Sequence, residues 1–149
     1  MFSVEKSFTV KKGNIDKIFH IITDFERYPE FVPFISHTTL HKISPTEWDS
    51  ELRFSLFPFW ITEKNKAFIN ESGDVKTVAT IGHNSLFFQD KQSLWRVQKI
   101  GEDVKINFEA KFKVKHPLLK RILETSIGYL SDSIVQAFVE REKAMSYGN

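Results

Sequence analysis

Cysteine is absent from the chain, which excludes disulfides, thiol nucleophiles, cysteine–zinc sites and iron–sulfur clusters. Glycine is scarce at 6 residues and proline at 5, and no Walker loop, Gly-x-Gly-x-x-Gly fingerprint or Gly-x-Ser-x-Gly elbow is among them. Charge of one sign is lacking too. Twenty-one Lys+Arg against 19 Asp+Glu leave a net +2, too balanced for a protein built around nucleic-acid phosphates. No segment approaches the ~18–20 apolar residues of a membrane span. The opening Met1-Phe2-Ser3-Val4-Glu5-Lys6 does not follow the charged-then-apolar layout of a signal peptide and reads as a first strand. The expectation is a cytoplasmic protein, with peripheral contact at the inner membrane as its furthest reach.

What is present is aromatic. Fifteen Phe, three Trp and three Tyr bring aromatics to 14% of 149 residues. That length fits one domain over residues 1–149 and supports a core without metal or disulfide staples. Hydrophobic residues at 41% and charged ones at 27% are globular proportions.

The order of patterns predicts an α+β fold. Phe2, Val4, Phe8 and Val10 alternate with Ser3, Glu5, Ser7 and Thr9, the period of a half-buried strand. Asn14 is placed to cap a helix carrying Ile15, Ile18, Phe19 and Ile22. Pro29 and Pro33 restrict the following stretch to short helical or turn pieces. From residue 34 to residue 114 the pattern is strand after strand: Trp48, Ser50, Leu52, Phe54 and Leu56 form one face, and later strands are expected near 59–69, 75–82, 88–99 and 103–114. Val104, Ile106, Phe108, Ala110, Phe112 and Val114 alternate with polar residues, the mark of an antiparallel sheet with one wet face. Pro117 then opens a helix to about residue 146, with Leu119, Leu123, Ile127, Leu130, Ile134 and Phe138 in a stripe toward the sheet. Sheet and helix would enclose one apolar space.

Catalytic signatures are thin. His20, His37, His41, His83 and His116 form no metal motif, and His37 and His41 share a strand, where a four-residue step does not converge on an ion. They read as surface or hydrogen-bonded histidines. Asp24, Glu26 and Glu30 could supply an acid or base, but residues of this kind around short helices chiefly cap and solvate them. No catalytic residue and no metal site is assigned. Parity turns only Lys6 and Ser50 inward among polar candidates.

The rings are more informative. Phe31, Phe34, Phe54, Phe57, Phe59, Trp60, Phe87, Phe88, Trp95, Phe108 and Phe112 fall on or beside the expected inner surface, with Val32 from the turn and Ile127, Leu130 and Ile134 from the helix stripe. Any one of these is ordinary core. Collectively they form a wall with few polar handles, suited to an apolar chain or flat ring, each buried CH₂ contributing roughly 0.8 kcal/mol. Lys111, Lys113, Lys115, His116, Lys120 and Arg121 gather before and within the start of the long helix, the end its dipole disfavours for cations. They read as a solvated face, or as a docking collar for anionic lipid or RNA phosphates.

Asp24-Phe25-Glu26-Arg27-Tyr28-Pro29-Glu30-Phe31-Val32-Pro33-Phe34 resembles the signature of the coenzyme-Q-binding branch of the START-like, polyketide-cyclase superfamily, whose bacterial members include the ribosome-association toxin RatA. The resemblance extends through Ile61-Thr62-Glu63-Lys64-Asn65, Leu94-Trp95-Arg96-Val97, Asn107-Phe108-Glu109-Ala110-Lys111-Phe112 and Val135-Gln136-Ala137-Phe138-Val139-Glu140-Arg141, in family order across almost the whole chain. It implies a helix-grip fold: a curved antiparallel sheet around a long C-terminal helix, with two short helices after strand 1 and a hydrophobic tunnel between. Pro29, Phe31, Val32 and Pro33 would form the rim of that tunnel. Leu86-Phe87-Phe88 stands where relatives commonly carry Gly-Pro-Phe, which would narrow the mouth. The function implied is non-enzymatic binding of ubiquinone or another isoprenoid lipid, as carrier or chaperone in respiration. The resemblance also implies two alternatives: ribosome association of the RatA type, and cyclase or aromatase chemistry as in remote members.

Overall fold

Alternating strands in this chain pair with their sequence neighbours wherever a tight turn allows, and the computed structural model, which describes residues 1–147, is built on that rule. The order is β1 (Phe2–Val10), α1 (Ile15–Thr23), a 3-10 segment (Phe25–Glu30), β2 (Ile35–Lys42), β3 (Glu47–Leu56), β4 (Phe59–Asn70), β5 (Val75–Gly82), β6 (Phe88–Ile100), β7 (Asp103–Val114) and α2 (Pro117–Tyr147). The seven strands form one antiparallel sheet in the order β1-β7-β6-β5-β4-β3-β2. Only β1 is placed out of sequence, where it pairs with β7. This is the helix-grip arrangement expected from the sequence, with α2 packed along the apolar face.

Local chemistry explains the boundaries. The Asn14 side chain accepts from the amides of Asp16 and Lys17 at 3.0 and 3.2 Å, satisfying two of the orphan donors at the start of α1. The β4–β5 and β6–β7 turns carry Gly73 and Gly101 at φ of 73° and 61°, a region where a side chain costs energy. Pro117 opens α2, whose 31 residues span roughly 46 Å at 1.5 Å each.

One irregularity was not visible in the pattern. Between Gln89 and Gln92, β6 places two residues against the single Phe112 of β7. Asp90 adopts φ 55°, a left-handed conformation that Asp tolerates better than most residues, and its amide donates to Asn84 Oδ1 at 3.1 Å. This β-bulge shifts the side-chain phase. Phe88 is buried before it, while Trp95 and Val97 are buried after it, an odd spacing that a regular strand forbids.

The interior has two halves. At one end α1 places Ile18, Phe19 and Ile22 against Val78, Val97, Val104 and Ile106, all essentially inaccessible. At the other, Ile61, Phe88, Leu119 and Leu123 form a smaller cluster under the first turns of α2.

Candidate functional site

Between these halves the side chains of sheet and helix do not meet. The space left is a cavity of two lobes, about 300 Å³ and about 210 Å³, which share Ile35, Leu52, Asn65, Thr80, Ser93, Phe108 and Ile134 as lining. The larger lobe is walled by Phe34, Phe54, Leu56, Phe88, Ala110 and Phe112 from the loop and strands, and by Leu123, Ile127 and Leu130 from α2. The smaller is closed by Phe25, Tyr28, Val32, Trp95 and Phe138. Its rings interlock, with Trp95 4.6 Å from Phe108 and 4.9 Å from Phe138 between centroids. Phe34 is held at φ 73°, a strained conformation for a bulky residue, and lines the larger lobe. Backbone strain of this kind, typically about 1–3 kcal/mol, concentrates at binding sites.

Tyr28 anchors the closed lobe. Its hydroxyl donates to the Ile22 carbonyl, and Phe25 and Phe138 meet its ring edge-on at 5.3 and 5.4 Å. Burial of the phenol, with a smaller contribution from the charge of Asp24, pushes its pKa far above the ordinary tyrosine value.

Most of the residues read from the sequence as wall reach the cavity: Phe34, Phe54, Phe88, Phe108, Phe112, Ile127, Leu130 and Ile134 line the larger lobe, and Val32 and Trp95 the smaller. Others do not. Phe31 sits beside the cavity, edge-on to Phe138 at 5.2 Å and under the Arg141 guanidinium at 5.0 Å. Phe59 packs against Phe87 and His116 at 5.5 and 4.9 Å. Phe57 and Trp60 point to solvent, 89% and 75% exposed, and are corrected here. Phe57 lies at the tip of the β3–β4 turn, and Trp60 stands between Phe59 and the inward Ile61, so alternation puts it on the outer face.

The basic collar is also reshaped. Lys111, Lys113 and Lys115 take the exposed phase of β7 and the residue beyond it; Lys113 pairs with Asp90 at 3.4 Å and Lys115 donates to the Ser85 carbonyl at 3.0 Å. Lys120 and Arg121 are exposed on α2. His116 leaves the collar altogether: it is wedged between two phenyl rings, with a buried Nδ1 that has no partner among the described residues. The carboxylates near the short helices do structural work. Asp24 meets Arg27 at 3.2 Å, and Glu30 ties Arg27 and Arg141 at 3.2 and 3.3 Å, while Glu26 is exposed. Lys6 faces the helix as parity required and pairs with Asp132 at 2.7 Å; Ser50 lines the smaller lobe.

The polar residues that matter most escaped the sequence reading. Glu63 is only 3% exposed and lines the larger lobe. Its Oε1 receives Lys91 Nζ at 2.7 Å and the Ser85 hydroxyl at 3.0 Å, while its Oε2 is buried with no partner among the described residues. Lys91 also approaches Asn65 Oδ1 at 3.4 Å and the Phe88 ring at 5.9 Å. Its stem lies across Gly82, where an added Cβ would come within 2.3 Å of Cε. Thr80 and Ser93 hydrogen-bond to each other nearby. Glu63 was legible in principle, because the inward phase of β4 runs Phe59, Ile61, Glu63, Asn65, Ala67, Ile69 and puts a carboxylate among apolar residues. Lys91 was not, since only the bulge brings it inward.

With the cavity described, comparison with known proteins places the chain. Residues 14–139 match the family model described as polyketide cyclase/dehydrase and lipid transport, and the chain belongs to that family. A comparison with curated protein sequences found no match. Among solved structures, it resembles the ZhuI aromatase/cyclase of Streptomyces sp. R1128 with a TM-score of 0.78 at 12% identity, covering 95% of this chain and 93% of that one. It also resembles a STAR-related lipid transfer protein of Xanthomonas axonopodis (TM-score 0.76, 13% identity, 95% and 85% covered). The 18 kDa protein CC1736 of Caulobacter crescentus matches over the full length of both chains, with a TM-score of 0.74 at 17% identity. At these identities the likeness is one of fold, and the family holds both enzymes and lipid binders. Among the described residues no helix is long and apolar enough to cross a membrane.

Proposed function

We propose that this protein is a non-enzymatic carrier or chaperone for an apolar ligand, with ubiquinone or another polyprenyl lipid as the leading candidate. The observation that carries this is the unfilled larger lobe, whose wall is phenylalanine, leucine and isoleucine around a single polar cluster. Interiors normally pack to near-crystalline density, so an apolar space of this size is a feature that folding alone does not need. A ring and the first stretch of a chain fit within it, and the remainder of a long tail would leave through the opening.

The outer surface supports loading at a membrane. The Phe59, Phe87 and His116 rings join three segments at one end of the molecule, and their neighbours Phe57, Leu86 and Leu118 are exposed there. Lys115, Lys120 and Arg121 come from the same stretch of chain. Apolar tips with adjacent cations suit an anionic lipid surface. Leu86 points outward and Phe87 packs against Phe59 and His116, so the two residues that depart from Gly-Pro add to this tip and, contrary to expectation, do not line the cavity.

Mass spectrometry of protein purified from native cells tests the reading. A co-purifying polyprenyl quinone or related lipid at near one equivalent supports it; ligand-free protein that also fails to take up added quinone overturns it. A second reading, cyclase-type chemistry on an aromatic polyketide, is favoured by Glu63 and Lys91 inside the cavity. Product formation from a poly-β-carbonyl substrate, lost in Glu63→Gln, would move the assignment to that reading.

A further inference from the structure

The unpartnered oxygen of Glu63 specifies more than an apolar guest. We infer that Glu63 and Lys91 are a recognition point for a hydroxyl group on the ligand, so that the cavity selects an apolar molecule bearing an O–H over the same molecule bearing only ether or carbonyl oxygens. The inference rests on the cavity being a ligand site and deepens it.

The chemistry follows from counting hydrogen-bonding capacity. A carboxylate only accepts, and Glu63, in the wall of the larger lobe, spends one oxygen on Lys91 and Ser85 while the other is buried with no partner among the described residues. Buried polar atoms are rarely left so, because an unsatisfied acceptor forfeits its hydration for nothing. An ammonium has three donors. Lys91 directs one at Glu63 and one at Asn65, which leaves a third for an incoming acceptor. A hydroxyl oxygen placed between them would accept from Lys91 and donate to Glu63 Oε2. A carbonyl or an ether can do only the first, and leaves Oε2 unpaired. Sites built to bond an O–H discriminate strongly against analogues without it, because the protein group is then stranded. On a quinone-type ring, only the reduced form carries such a group.

The fold invests in holding this pair. The bulge at Asp90 turns Lys91 inward, and Gly82 leaves the room for its stem.

A 4-alkylphenol and its methyl ether test the inference with matched apolar bodies and no redox complication, titrated against the wild-type protein by intrinsic tryptophan fluorescence. The expected result is tighter binding of the phenol by about tenfold, equivalent to ~1.4 kcal/mol. In the paired variant Glu63→Leu/Lys91→Met, which removes both charges and strands neither, the preference should fall to within about twofold while the ether still binds. Equal affinity of wild type for the two probes overturns the hydroxyl assignment and leaves the carrier reading standing. A phenol preference that survives in the paired variant also overturns it, since the pair would then be purely structural. Binding of neither probe overturns both.

Discussion

The two ends of this sheet are made from the same kinds of residue and behave oppositely. Under α1, Ile18, Phe19 and Ile22 close against Val97, Val104 and Ile106 with no space between them. Under the first half of α2, Phe54, Phe88, Phe112, Leu123, Ile127 and Leu130 surround a void of about 300 Å³. The difference lies in reach. The short α1 carries four buried residues that fill the concave face locally. The long α2 is anchored in the two core clusters through Leu119 and Leu123 at one end and Phe138 at the other, and between those supports Ile127, Leu130 and Ile134 line open space. A sheet curved around a straight helix touches it at separated points, and here the gap falls beside Glu63.

That contrast can be broken by truncation. Phe19→Ala at the closed end should cost about 3–5 kcal/mol, because the hole it leaves is walled by tightly packed neighbours. Leu130→Ala, whose side chain already faces the cavity, should cost roughly 1–2 kcal/mol. Thermal unfolding checks both, at about 2–4 °C per kcal/mol for a chain of this size. Comparable losses at the two sites would mean that the hollow end is packed after all.

Enlargement should sharpen the contrast in the opposite sense. Ala67→Leu, at a fully inaccessible position of β4 in the closed core, is expected to destabilise by about 1–3 kcal/mol. Ala110→Leu, which points into the larger lobe, should leave stability unchanged or raise it while reducing ligand affinity. Chemical denaturation with a parallel binding assay separates the two outcomes.

These expectations also show how much the sequence revealed. Alternation in 103–114 predicted β7 to the residue, and the stripe from Leu119 to Phe138 predicted the buried face of α2. Phe54, Phe108 and Phe112 followed from strand parity and Ile127, Leu130 and Ile134 from helical spacing, whereas Val32 and Phe34 lie in a turn and Phe88 and Trp95 stand on either side of the bulge. Aromatic character misled at Phe57 and Trp60, although alternation about the inward Ile61 already places Trp60 outside. Lys91 was hidden for a deeper reason. A bulge is one residue of slippage decided by backbone conformation at Asp90, and no composition or period announces it. His116 misled in a third way, because its place between Phe59 and Phe87 is a tertiary contact.

Smaller effects probe each end separately. At the hollow end, Gly82→Ala should displace Lys91 and weaken the phenol-over-ether preference, with a stability loss of about 1–3 kcal/mol, since the added Cβ also meets Lys91 Cβ at 2.8 Å and the displaced ammonium leaves Glu63 buried without its cation. At the closed end, Tyr28 makes the fold alkali-sensitive. Its pKa is raised in the folded state, so the folded form holds the phenol proton that the unfolded form gives up. Stability is therefore fully present below about pH 10, the unfolded tyrosine value, and declines as pH rises above it. Tyr28→Phe should flatten that decline in unfolding curves taken across pH 9–11, at the cost of the hydrogen bond to Ile22. A decline of unchanged slope in the variant would place the sensitive group elsewhere.

The most direct measurement is titration of wild type and Ala110→Phe with a short-chain quinol under anaerobic conditions, followed by intrinsic tryptophan fluorescence. Saturation near one equivalent in wild type, with affinity sharply reduced in the filled variant, is the predicted result. Absence of saturable binding, or identical binding by both proteins, would contradict an internal apolar site between the sheet and α2.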